Sequence, residues 1–135
     1  MATFNKFQPF VEAVAEKKHN LGSDQLVIAL TNTVPVNTNA ILTDITQISY
    51  TNLSSRNVTT SASAQTSGTY KLTLTDVVLT ASGAVATFRY AVLYNDTATN
   101  DDLIGWWDYG SAVTLANGET FTVDFDATNG VLTIV

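Results

Sequence analysis

The chain has 135 residues, a formal net charge of −6 and no cysteine. The length suits one domain with one core, which we place over residues 1–135. Without cysteine, disulfides and thiolate chemistry are excluded, and the acidic balance disfavours nucleic acid as a partner, since its binders usually have a basic face. Charged residues are only 13% of the chain, so Thr, Asn and Ser supply most of the polarity, as is typical of β-rich surfaces.

The N-terminal segment has the spacing of an amphipathic helix. Phe7, Phe10 and Val14 recur at steps of three and four residues, which predicts an α-helix over about residues 5–19. Pro9 is tolerated only in the first turn of such a helix, and the HNLG stretch that follows supplies a stop. The apolar residues are too spaced for a secretory signal, and no run of about 18 apolar residues exists, so we expect no membrane partner.

Beyond about residue 25 the pattern changes to short strands separated by turn formers, and we expect a β-body over about residues 25–135. QLVIALTN, which begins at Gln25, is a short apolar run and predicts a buried strand. The run Val85–Asp96 is apolar on both alternating faces apart from Arg89, which predicts a central strand. ILTDI predicts either a helical turn or a short strand, and an edge strand is expected near Asn57–Ala62.

The second half of the chain is the more regular. TYKLTL alternates polar and apolar residues, and the change of alternation near Val77 and Val78 predicts a β-bulge. Asn117 and Gly118 form a dipeptide that favours a hairpin. Seven or eight short strands at roughly ten-residue spacing predict a mainly β fold, a sandwich or jelly roll of antiparallel sheets with the N-terminal helix against it.

The residues offer little chemistry. His19 is the only histidine, and no GxSxG stretch accompanies it. The acidic stretch Asn95–Asp102 has oxygen ligands suited to calcium but lacks the Asp-x-Asp-x-Asp-Gly spacing, so a solvated hairpin tip is the alternative. Asp108 and Asp124 lie on predicted strands, where a catalytic pair competes with two solvent-facing positions. We expect no enzyme, with no catalytic residue, cofactor or metal.

Trp106 and Trp107 are the only tryptophans in the chain and are adjacent. Neighbouring residues on a strand point to opposite faces of a sheet. One tryptophan should therefore enter the core while the other faces outward or meets a partner, since tryptophan is enriched at binding hot spots. The alternative is that a second sheet or the helix covers both rings.

Two long stretches of the chain resemble a group of small structural proteins encoded by tailed bacteriophages. The stretches are KFQPFVEAVAEKKHNLGSDQLVIALTNTVPV and FRYAVLYNDT followed by LIGWWDYGSAVTLANGETFTVDF. The group shares the HNLGSD helix end, the LTNT-x-P strand end and the Tyr-Asn-Asp, Gly-Trp-Trp-Asp and Gly-Glu-Thr-Phe stretches. About two-thirds of the chain is covered, and the middle, Gln47–Gly68, carries no such motif.

The resemblance implies a virion structural protein, most like a capsid decoration or cement protein, with no catalytic residues. Its partners would be the major capsid protein and copies of itself, as a dimer or trimer on the outer capsid surface, after assembly in the host cytoplasm. We expect the interface to involve Phe4, Phe7, Phe10 and Trp107, although the helix's apolar residues could instead pack on their own sheet. The alternative functions are a tail-associated or receptor- or glycan-binding module, and a small glycan hydrolase.

Overall fold

The computed structural model describes residues 2–135. Within that range the chain forms ten β-strands, one α-helix and one short 3₁₀ turn. The strands are β1 (Asn5–Lys6), β2 (Leu26–Thr31), β3 (Asn57–Val58), β4 (Thr60–Thr66), β5 (Thr69–Leu74), β6 (Val77–Thr80), β7 (Phe88–Asn95), β8 (Leu103–Val113), β9 (Thr120–Val123) and β10 (Leu132–Ile134). The helix α1 is Pro9–Ala15 and the 3₁₀ turn is Leu42–Asp44, so ILTDI forms a helical turn.

The strands of the described chain form three antiparallel sheets. The largest has the order β1-β8-β7-β2-β3, the second β10-β5-β4, and the third pairs β6 with β9. The prediction of a mainly β, sandwich-like fold with one helix is therefore confirmed, and the jelly-roll arrangement stays a prediction. Residues 2–135 contain no helix that is long and apolar enough to cross a membrane.

The five-stranded sheet is buried on both faces. On one face lies the main core, to which all three sheets contribute, for example through Leu26 and Ile28 of β2, Leu72 of β5 and Leu79 of β6. On the other face lies the second core, which is formed by Phe7, Val27, Ala29, Ile45, Val92, Tyr94 and Leu103. Because successive side chains of β2 enter opposite cores, all six of its residues are buried.

The central position of β7 between β8 and β2 confirms its prediction as a central strand. The edge strand expected near Asn57–Ala62 is divided between two sheets. Its first part, β3, is the edge of the five-stranded sheet, and its continuation, β4, is the edge of the three-stranded sheet. The chain thus passes from one layer of the sandwich to the other between Val58 and Thr60.

The predicted helix over residues 5–19 is too long. Residues Asn5 and Lys6 form β1 instead, paired with Trp106 and Gly105 of β8, and the helix begins only at Pro9. Proline has no N–H to donate and is accepted only in the first helical turn, so a start at Pro9 agrees with its position in the sequence. At the other end Lys17 has a φ of 66°, which is a left-handed conformation that cannot continue the helix.

The β-bulge predicted near Val77 and Val78 is wrong. The strand ends at Leu74, and Val77–Thr80 pairs with β9 in a separate sheet. Asp76 lies at this crossing and its carboxylate accepts a hydrogen bond from the backbone N–H of Phe125, at 2.8 Å. The change of alternation therefore marks a change of sheet, and an alternating pattern alone does not distinguish the two.

The hairpin predicted at Asn117 and Gly118 is also wrong, although the turn itself forms. Gly118 has a φ of 84°, and the N–H of Glu119 donates to the carbonyl of Ala116 at 3.0 Å. The strands on either side pair elsewhere, β8 with β7 and β9 with β6. The turn chemistry is local, whereas the pairing is decided by the cores that the strands enter.

Gly105 is the position where the N-terminal segment meets the sheet, and we expect that it cannot carry a side chain. A Cβ there would overlap the ring of Phe4 and would lie 2.9 Å from the carbonyl oxygen of Asn5. Gly105→Ala should therefore displace the segment and lower the free energy of unfolding by about 1–3 kcal/mol, as overpacking does. Urea denaturation of the purified protein measures this change.

Gly22→Ala is the matched control, because a Cβ at that position would make only ordinary contacts of 3.6 Å with Asn20 and Ser63. We expect its free energy of unfolding to equal or slightly exceed that of the wild type. Equal stability of the Gly105 and Gly22 variants would contradict the proposed role of the Phe4 contact.

Candidate partner-binding groove

The two tryptophans lie on opposite faces of β8, as their adjacency predicts. Trp107 packs against the main core and Trp106 against the second core. Both side chains are half-buried, so the structure covers each of them in part. Trp106 donates its indole N–H to Asn37 at 3.1 Å, and its ring meets Tyr90 edge-on with centroids 6.0 Å apart.

Of the four predicted interface residues, the structure brings two together and separates the others. The rings of Phe4 and Trp107 have centroids 5.2 Å apart and lie near the surface. Phe7 and Phe10 are only 0% and 4% exposed, in the second and main cores respectively. Phe7 and Phe10 are therefore buried within the chain in this structure, and their role in an interface stays a prediction.

A surface cavity of ≈190 Å³ opens beside Trp107, between β7 and β8 on one side and β9 on the other. We call it the aromatic groove and define it by Phe88, Trp107, Tyr109 and Phe121, which line it. Phe121 is the centre of the packing, because its ring meets Phe88 at 5.2 Å and Tyr109 at 5.0 Å, both edge-on. Such geometry is favourable for aromatic pairs.

An irregular stretch of β8 makes Tyr109 available to the groove. Asp108 and Val113 are paired with Tyr90 and Phe88 of β7, so residues 109–112 lie opposite Arg89 alone. A bulge of this kind re-aims side chains that a regular strand would hold in register. Tyr109 is 58% exposed as a result, which is unusual for a large aromatic side chain in a strand.

Arg89 and Asp108 form an ion pair at the rim of the groove. Two guanidinium N–H groups of Arg89 donate to the two carboxylate oxygens of Asp108, at 2.8 and 3.0 Å. This hydrogen bonding, with a further bond from the backbone N–H of Gly110, holds the pKa of Asp108 below its ordinary value. The two charges therefore cancel locally, and the pair fixes the backbone where the bulge begins.

Asp124 is the other acidic residue at the groove. Its side chain is exposed and makes no hydrogen bond or ion pair within residues 2–135. The sequence leaves Asp108 and Asp124 as candidate catalytic partners on neighbouring predicted strands, but β8 and β9 belong to different sheets. Arg89 donates a hydrogen bond to each carboxylate oxygen of Asp108, whereas the carboxylate of Asp124 accepts none within residues 2–135.

The sequence predictions missed most of the groove. The spacing of Trp107 and Tyr109, two residues apart, would place both on one face of a regular strand, although Tyr109 lies where the strand becomes irregular. That signal could have been read from the sequence. The contribution of Phe88 and Phe121 could not, because it depends on which strands face each other across the two layers.

The acidic stretch Asn95–Asp102 is organised by a buried amide. The side-chain oxygen of Asn95 accepts hydrogen bonds from the backbone N–H groups of Thr97 and Ala98, at 3.0 and 3.2 Å. Its NH₂ group must then be the donor to Asp24 Oδ2 at 2.7 Å and to His19 Nδ1 at 3.0 Å. His19 is therefore neutral and carries its proton on Nε2, which has no partner within residues 2–135.

No group of three or more His, Asp or Glu residues in the described range could hold a metal ion. Within the Asn95–Asp102 stretch the backbone closes a turn, since the N–H of Asp101 donates to the carbonyl of Ala98 at 3.1 Å. The stretch thus behaves as a closed hairpin tip tied to the end of α1 through His19 and Asp24.

Comparisons with known proteins give no match that bears on function. The chain matches no protein-family model. It also matches no curated protein and no solved structure.

Stability should fall in mild acid because of His19. Burial lowers the pKa of His19 below its ordinary value of 6.5, against the opposing charges of Asp102 and Asp24. The unfolded chain therefore binds a proton near pH 6.5 that the folded chain resists. The contribution of neutral His19 to the free energy of unfolding is therefore complete above about pH 6.5. It is lost as the pH falls towards the lower pKa that His19 has in the folded state.

Urea denaturation at a series of pH values gives the free energy of unfolding as a function of pH. In the wild type, the slope of this curve should correspond to His19 contributing less than one proton taken up on unfolding. His19→Gln is the control, because its amide can accept the hydrogen bond from Asn95 but cannot titrate. We expect this part of the slope to be absent in the variant. An identical slope in both proteins would rule out His19 as its source.

Proposed function

We propose that the protein is a non-enzymatic virion structural protein of a tailed bacteriophage, which decorates the outer surface of the capsid and stabilises it by bridging major capsid subunits. The resemblance of its two long stretches to phage structural proteins motivates this assignment. The observation that carries it further is the aromatic groove, because this feature suits contact with another protein.

The groove has the composition of a binding hot spot. Tryptophan, tyrosine and arginine are the residues that most often dominate protein–protein affinity, and Trp107, Tyr109 and Arg89 all line this cavity. Its volume of ≈190 Å³ is small, whereas small-molecule pockets typically occupy about 300–1,000 Å³. The groove therefore suits one inserted side chain of a partner better than a whole ligand.

The body that carries the groove suits a mechanical role. Both faces of its largest sheet are buried, and interiors packed in this way deform little. Charged residues are few, at 13% of the chain, so contact with a neighbour would immobilise few long charged side chains and would lose little entropy. Copies of the protein as a dimer or trimer fit the general preference for closed symmetry.

A tail-associated or glycan-binding module is the second candidate. Trp107 and Tyr109 present aromatic rings on one face of the groove, which the adjacent Trp106 and Trp107 could not do. A sugar could stack on such rings while Arg89, Asp108 and Asp124 bound its hydroxyl groups. Glycan binding that disappears in Trp107→Ala would favour this candidate over a protein partner.

Copy number separates a capsid role from a tail role. A decoration protein covers the shell, so we expect hundreds of copies per particle, in a fixed ratio to the major capsid protein. Quantitative mass spectrometry of purified particles measures this ratio. A handful of copies per particle would contradict the capsid assignment and favour a tail location. Complete absence from the particle would contradict both assignments.

Tyr109→Ala tests whether the groove is the contact. Because Tyr109 is 58% exposed, its removal should change stability little, but loss of a hot-spot side chain should weaken binding to the shell by about tenfold. Co-sedimentation of the purified protein with shells that lack it measures the affinity. Val34→Ala is the control, since Val34 is 55% exposed and is not among the residues that line the groove, so the affinity of this variant should be unchanged.

A further inference from the structure

The aromatic groove has two charged residues in its lining, Arg89 and Asp124, beside its aromatic rings. Arg89 and Asp108 neutralise each other through their two hydrogen bonds. Asp124 lines the same cavity, and its side chain has no such partner within residues 2–135. Among the described residues, Asp124 is therefore the charged group of the groove lining that has no ion-pair partner.

A long cationic side chain fits these features together. The cavity has room for about one side chain, as its volume of ≈190 Å³ indicates. Aromatic rings such as those of Trp107, Tyr109 and Phe121, which line the cavity, attract a cation that lies over their faces. The aliphatic stem of Lys or Arg covers apolar surface while its charged head stays at the rim, where Asp124 is placed.

We propose that the aromatic groove binds a basic side chain, Arg or Lys, from a partner protein, with the head group against Asp124. The identity of that partner as the capsid shell rests on the proposed function. Charge complementarity supports a basic partner, because the chain has a net charge of −6 and would attract it from a distance.

Other occupants fit less well. An apolar side chain would fill the cavity but would strip water from the carboxylate of Asp124 without replacing its hydrogen bonds, which is unfavourable. An anionic ligand would meet that carboxylate directly. A second copy of this chain would bring its own net charge of −6 to an acidic surface.

Two short peptides test the proposal directly. The probe is acetyl-valyl-arginyl-valine amide, and its control replaces arginine with citrulline, which has a similar shape but no charge. NMR titration follows the indole N–H of Trp107, which is assigned with Trp106→Phe. We expect the arginine peptide to bind about threefold to tenfold more tightly than the citrulline peptide, as a cation–π contact and an exposed ion pair allow.

Asp124→Asn should remove this preference while leaving binding of the citrulline peptide unchanged. Asp96→Asn is the matched control, because it removes the same charge beyond the opposite end of β7 and should retain the preference. Equal binding of the two peptides, or no perturbation of Trp107 by either, would overturn the proposal. Groove resonances that shift with protein concentration alone would also overturn it, since a second copy would then be the occupant.

The outcome is separable from that of the proposed function. If Asp124→Asn binds shells as well as the wild type does, and the peptides are not discriminated, the basic side chain is excluded while the capsid role stands. If the protein is missing from particles but the arginine peptide binds with the expected preference, the capsid role fails and the chemistry of the groove stands.

Discussion

Burial of the five-stranded sheet on both faces is the constraint on which the rest of the structure depends. Each large apolar side chain removed from water contributes about 1.5–3 kcal/mol, and β2 places all six of its residues inside. A sheet of this kind needs two covers. The two smaller sheets supply one, and Phe7 with the segment around Ile45 supplies the other. The N-terminal segment is therefore part of the fold rather than an appendage.

The aromatic groove follows from an incomplete cover over the main core. β8 has eleven residues, whereas β9, which lies across from its later part, has only four. The larger sheet thus extends past the layer packed on it. Trp107 is half-buried and Tyr109 is exposed in this part of the sheet. Phe121 closes the gap in part, and the ion pair of Arg89 with Asp108 holds the irregular backbone beside it. A surface that is apolar yet held in place is suited to binding.

The sequence predicts those features that depend on local pattern and misses those that depend on pairing. The apolar runs of β2 and β7 identify them as buried strands whatever their neighbours are. The predicted helix is too long because Phe7 is buried by an extended segment, although its spacing to Phe10 is also helical. The turn at Gly118 forms without a hairpin, because the flanking strands β8 and β9 pair with β7 and β6 instead of with each other. Phe121 could not be assigned to the groove, since no spacing links it to Trp107.

The first part of β8, from Leu103 to Tyr109, has two separate physical roles. Trp106 and Leu103 serve the fold, because they cover the second core. Asp108 and Tyr109 bury little, and their arrangement instead shapes a rim and a half-open aromatic surface. Folding alone gives no reason to keep a 58% exposed tyrosine beside a bulge that an arginine must fix. A binding role does give one, because a contact that forms without reorganisation loses less entropy on association.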